Sequence, residues 1–189
     1  MGTRPDCLSS GIYEYLADIN NRTYLSIELG LQSASDKTLA YNNRGHTFSD
    51  FKAAVQELAD REIETVAHVM IGLPGDTAES MLDTARECAK LPVNGVKIHQ
   101  LMIIRGTKLE EWYNKGEIKP LKLEEYAELV SDYISLLRPD QHIHRIMADS
   151  KPEHGLIAPM WSAEKMKSIA FIQNYMDENN VIQGRDYKK

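Results

Sequence analysis

The chain has 189 residues, 42% hydrophobic and 26% charged, which fits one domain, or one domain plus a small extension, with a buried core, and argues against a disordered chain. Its net charge of -6 argues against a general nucleic-acid footprint on this stretch, which would be basic. No apolar run approaches the ~18 residues of a membrane helix, the opening Met-Gly-Thr-Arg-Pro-Asp is no signal peptide, and Cys7 and Cys88 are too few and too far apart for a disulfide scaffold or a CxxC metal site, so the expectation is a cytoplasmic protein with reduced thiols and no membrane contact.

In chain order, the first residues carry neither a helix start nor a full strand and predict a loop. Residues 6–19 read as a helix and 24–31 as a strand of β-branched and apolar positions. Residues 48–61 form an amphipathic helix with Phe51, Val55 and Leu58 on one face. Thr47 with Asp50 three residues later approximates a capping box at its start. A strand over 65–71 ends at Gly72-Leu73-Pro74-Gly75, after which Asp76 or Thr77 caps a helix running to about Lys90. Residues 95–104 read as a third strand. Beyond Gly106 come a short helix over 108–115, a longer one over 124–137 ended by Pro139, a strand over 142–148, and a last helix over 162–178 with Ser162 as its N-cap.

Strands and helices alternating at this spacing predict βαβ units and a parallel sheet. Neither a P-loop nor a GxGxxG fingerprint follows any strand, and about 30 residues per βα unit suits a barrel better. Ligands of such folds bind at the C-terminal ends of the strands. That rule singles out Glu28, Gln32, His68, His99 and Gln100, together with the Gly72-to-Gly75 turn, whose glycines let backbone come close. Each has a plainer reading. Glu28 inside a strand needs a partner, and Lys97 of a neighbouring strand is one. Gln32 reads also as a turn cap, and His68 as a core histidine. His142 and His144 share a strand face at a spacing that suits a metal, but no third ligand accompanies them, and a structural role is the preferred reading.

Taken in order, Gly2-Thr3-Arg4-Pro5-Asp6, Glu28-Leu29-Gly30-Leu31-Gln32-Ser33, Asn43-Arg44-Gly45-His46 and Gly72-Leu73-Pro74-Gly75-Asp76-Thr77 resemble the second half of a radical S-adenosylmethionine (SAM) core. The match is with the YhcC/YtqA-type Fe–S oxidoreductases, related to the elongator catalytic subunit and to coproporphyrinogen dehydrogenase. Residues 99–107, His144-Arg145, residues 156–161 and Gln183-Gly184 resemble that subfamily's later signatures. The resemblance implies an α/β fold: an incomplete parallel (βα) barrel, the latter half of a radical-SAM core, with a mostly helical C-terminal extension. Residues 1–107 would supply strands four to six, and 108–189 the extension. It implies SAM as cofactor, with Gln32 on the ribose hydroxyls, Arg44 on the carboxylate, Glu28 and His68 nearby, and Gly72 and Gly75 passing the adenine by backbone.

The family's Cys-xxx-Cys-xx-Cys loop has no counterpart here, so the [4Fe–4S] cluster is expected in the full-length protein and not on this chain. The expectation is a fragment, inactive alone, whose partners are the missing N-terminal barrel half, a second copy of the chain across an exposed barrel edge at the strand near Tyr24, and a tRNA substrate for the full protein. Two other readings stand beside this one: a non-catalytic binding module that keeps the fold, and a metal-dependent (βα) hydrolase using the strand histidines.

Overall fold

The computed structural model describes residues 1–188. In chain order the elements are β1 (Gly2–Thr3), α1 (Ser10–Asn20), β2 (Ser26–Gln32), α2 (Asp36–Tyr41), α3 (Phe48–Ala59), β3 (Glu64–Ile71), α4 (Ala78–Lys90), β4 (Gly95–Gln100), β5 (Ile103–Ile104), α5 (Lys108–Asn114), α6 (Leu123–Leu136), β6 (His142–Arg145), β7 (Leu156–Ala158) and α7 (Lys165–Glu178). Five strands form one sheet in the order β1-β2-β3-β4-β6, and every pair in it is parallel. Parallel neighbours need crossovers, and helices supply them, so the sheet is α/β as the alternating pattern predicts. The sheet runs across the boundary expected at residue 107, because β6 pairs with β4.

The strand residues alternate between two surfaces. Ile27, Leu29, Leu31, Ala67, Val69, Ile71, Val96 and Ile98 are buried in the main core with Phe51, Val55 and Leu58 of α3 and Met81, Ala85 and Cys88 of α4. Tyr126, Val130 and Tyr133 of α6 complete that layer. The opposite surface carries Glu28, His68, Lys97 and His99, all partly exposed. A face of ionisable groups in the middle of a parallel sheet is not core, and it marks the side on which a ligand is to be sought.

Caps define the helix starts. Thr47 accepts from the Asp50 N–H at 3.1 Å, while the Thr47 N–H donates to Asp50 Oδ2 at 2.7 Å, a closed capping box. Thr47→Ala is expected to cost about 1 kcal/mol, read as a lowered urea midpoint with an unchanged slope; an unchanged midpoint would mean the box contributes nothing. Thr77 plays the same part for α4 with Ser80.

Four expectations are corrected. The chain opens on a short strand, not a loop: Gly2 and Thr3 pair with Glu28 and Leu29, and β2 is therefore not the bare edge of the sheet. Two residues are too few to show alternation. The strand read over 95–104 breaks after Gln100. Ile103 and Ile104 leave the parallel sheet to pair antiparallel with β7, and their apolar character serves a second small cluster with Leu73, Leu101 and Ala158. The strand read over 142–148 stops at Arg145. Ser162 is not an N-cap: it lies in a short turn where its Oγ accepts from Gln100 Nε2 at 2.7 Å, and α7 begins at Lys165.

Candidate functional site

Gln32 and Arg44 face one cleft. It measures about 550 Å³ and opens beside the C-terminal ends of β2, β3 and β4, as the strand-end rule requires. Gln32, Asn42, Asn43 and Arg44 form its polar wall; Met70, Leu73, Leu101, Leu109 and Trp112 form the apolar one. His99 also reaches it.

The polar wall is built by backbone irregularity. The β2–β3 register shifts between Gly30 and Gln32, a bulge at the strand end. Gln32 sits at φ 72°, in the left-handed region that side chains avoid. Such strain persists where the surroundings enforce it, and it collects at ligand sites. Gly30 explains how the Gln32 and Arg44 side chains meet. A Cβ there would lie 3.1 Å from Gln32 Nε2 and 3.4 Å from Arg44 Nη2. The missing side chain is thus the space in which the amide and the guanidinium converge. Sequence reading named Gly30 only within a motif and gave it no role; the available signal was a glycine inside a strand.

Arg44 is half-buried, and its Nε has no hydrogen-bond partner. Burial pushes its pKa down, Arg4 adds to that effect, and Asp6 opposes it. Asp6, the acid that acts on it, is already engaged by Arg4. A guanidinium left in this state is suited to an incoming carboxylate or other anion.

Glu28 and His68 do not line the cleft; they lie on the same sheet face and hold each other. Glu28 Oε1 accepts from Lys97 Nζ at 2.7 Å, and Oε2 lies 2.9 Å from His68 Nε2. The plainer reading of Glu28, a partner on the neighbouring strand, is the one realised. The Lys97 ammonium holds the Glu28 carboxyl below its ordinary range, against the opposing effect of burial. Burial dominates for His68 and lowers its pKa despite Glu28, so the ring is neutral and donates its Nε2–H to the carboxylate. His99 stands next to it, ring centroids 5.4 Å apart. Burial, reinforced by His68, Arg145 and Lys97, pushes His99 down to about 4, and its Nε2 has no partner.

Of the turn, Leu73 reaches the cleft, while Gly72 and Gly75 face elsewhere. A Cβ on Gly72 would meet Leu121 at 3.3 Å, and one on Gly75 would meet the Tyr41 ring at 3.6 Å. The turn is tied to α2: Asn42 Nδ2 donates to the Pro74 carbonyl at 2.8 Å, and Asp76 Oδ1 accepts from Thr38 Oγ1 at 2.7 Å. Gln100 is structural, buried with both ends of its amide bonded to the Ala148 backbone.

Residues 1–88 match the family model of the radical SAM superfamily, and residues 93–178 match that of the radical SAM C-terminal domain. The chain belongs to the radical SAM superfamily. It is 35% identical over 189 residues to the uncharacterized protein YtqA of Bacillus subtilis, covering 100% of this chain and 58% of YtqA. It is 33% identical over 153 residues to a tRNA uridine(34) acetyltransferase of Methanocaldococcus infernus, covering 78% of this chain and 28% of that protein. The structure of the archaeal Elp3 of Methanocaldococcus infernus, with an N-terminal deletion, superposes with a TM-score of 0.79 at 26% identity, covering 96% of this chain and 42% of Elp3. The radical SAM chain described here therefore spans under two thirds of the length of these relatives.

The superfamily implies SAM and a [4Fe–4S] cluster. The cleft fits SAM: an orphaned guanidinium, an amide held in strain beside it, and an apolar wall opposite. The cluster does not fit. Cys7 is exposed, and Cys88 is buried with its thiol pushed up to about 12 by desolvation, so the two supply no thiolate cage. Among the described residues no three His, Cys, Asp or Glu side chains gather as a metal site. His142 and His144 are exposed on β6 at the sheet edge, which gives the hydrolase reading no centre. No helix among the described residues is long and apolar enough to cross a membrane.

Proposed function

We propose that this chain forms the SAM and substrate cradle of a radical SAM enzyme that acts on a tRNA base. The observation that carries the reading is the convergence of Gln32 and Arg44 on the space left free by Gly30, at the strand ends of a parallel sheet. Gln32 offers an amide with donor and acceptor, which suits the paired hydroxyls of a ribose. Arg44 supplies the planar fork for the carboxylate of the methionine part. Bound SAM supplies the 5′-deoxyadenosyl group for radical chemistry. The chain's own residues orient that group and exclude water on the apolar side, where Met70, Leu73 and Leu101 lie. Glu28, His68 and Lys97 serve as a self-satisfied polar cluster on the sheet face beside the cleft rather than as direct cofactor ligands. A tRNA base as substrate is supported by the similarity to a tRNA uridine(34) acetyltransferase.

Calorimetric titration with SAM tests the cradle. Gln32→Ala and Arg44→Ala are each expected to weaken binding by about tenfold, the range for a lost hydrogen bond to a charged or closely fitted group. Wild-type chain that takes up no SAM, or variants that bind it as tightly as wild type, would remove the basis of the proposal.

A further inference from the structure

The apolar half of the cleft has its own architecture. Leu109 and Trp112 lie three residues apart on α5 and share a face. That face lines the cleft, and no residue of α5 is buried. Leu109 packs on the second small cluster, and Trp112 stays half-exposed at the mouth. Trp112 meets the exposed Tyr41 there, centroids 5.4 Å apart and planes tilted by 31°. Gly75 lies behind Tyr41, where a Cβ would stand 3.6 Å from the ring. Below the pair, His99 presents a buried Nε2 without a partner. Free charge is scarce at this end. Lys108 is engaged by Glu111 at 2.5 Å, and the Glu28 carboxylate is shared between Lys97 and His68.

We propose that the apolar half of the cleft, walled by Trp112 and Tyr41 and floored by His99, is a subsite for an uncharged planar ring, the base of an unpaired nucleotide of the substrate. The inference deepens the function proposed above and rests on it, since it assigns the polar half to SAM. Aromatic side chains bind bases by stacking, and a hydrogen-bonding group at the edge orients them. A neutral imidazole can accept from or donate to such an edge according to its tautomer. Of the cations lining the cleft, Lys108 is engaged by Glu111 and Arg44 belongs to the polar half; Arg145 acts on His99 from outside the lining.

Ligand-observed saturation-transfer NMR on the 189-residue chain, with uridine as probe and SAM as competitor, tests the subsite. Uridine is expected to receive saturation at its base protons and to keep doing so when SAM is present at saturating concentration. Trp112→Ala should lower uridine affinity by about tenfold and SAM affinity by much less; Trp112→Phe should retain most of the uridine affinity, which guards against a folding defect. His99→Ala should weaken uridine binding with a smaller change. Displacement of uridine by SAM, one for one, would mean that the aromatic pair belongs to the adenine and would overturn the inference, as would equal binding in Trp112→Ala. If SAM binds and uridine does not, this inference fails alone; if SAM does not bind, the function proposed above fails.

Discussion

Gly30→Val is expected to weaken SAM binding by about a hundredfold while leaving the chain folded. Gly30 has no unusual φ, so the substitution brings no backbone strain. What it brings is volume. The first added atom already stands 3.1 Å from Gln32 Nε2 and 3.4 Å from Arg44 Nη2, and two branch methyls must go further into the same space. Both neighbours are ends of flexible side chains, so they swing away rather than deform the sheet. Folding is spared for that reason, and the site is not, because the displaced groups are the proposed ribose and carboxylate contacts. Losing two oriented polar contacts together accounts for the size of the effect. Gly30→Ala should fall between wild type and Gly30→Val. Calorimetry gives the affinity and thermal denaturation gives the fold; a Gly30→Val chain that binds SAM normally, or one that is unfolded at room temperature, contradicts the argument.

The reach of sequence reading differed from element to element, for physical reasons. The caps of α3 and α4 were legible because a capping box is local, needing only Thr47 with Asp50 or Thr77 near its helix start. The parallel sheet was legible because helical and strand periods alternate over long segments. The end of β4 was not. Leu101 to Ile104 are as apolar as a strand, and only the third dimension shows that they turn toward β7 and a second cluster. In the site, Gln32 and Arg44 were reached through an ordered set of motifs, and the structure brings both to one cleft. Glu28 was read as either ligand or ion-pair partner, and the Lys97 and His68 contacts show the second. Tyr41 and Trp112 escaped notice, and Gly30 was read only as part of a motif. Their roles come from where α2, α5 and the bulge in β2 lie relative to one another, which no local pattern encodes.

Stability should decline as the pH falls from 7 to 4, and His99 should account for much of the decline. In the folded chain burial holds His99 near 4, and His68 is lowered as well. Unfolded, each imidazole titrates near 6.5. Below that value the unfolded state binds protons that the folded state refuses, so the unfolded state gains with each step toward acid. The contribution is complete above pH 6.5 and is lost progressively as the pH approaches 4. For His99, which is only partly buried, the loss is on the order of 2 kcal/mol after allowance for solvent screening. Glu28 acts in the same direction but lower. Its folded pKa is depressed by Lys97, so its contribution is present above its ordinary value and disappears as the pH falls through the folded one. The two windows meet near pH 4, and acid unfolding should therefore be steep there. His99→Gln keeps a hydrogen-bonding side chain that takes up no proton in this range. Its urea midpoint should change less between pH 7.5 and pH 4.5 than that of wild type, although Lys97, His68 and Arg145 still surround the site. Equal midpoints at the two pH values in the wild-type chain would show that His99 is as free to protonate when folded as when unfolded, and that the floor of the cleft is wetter than its buried, unpartnered Nε2 implies.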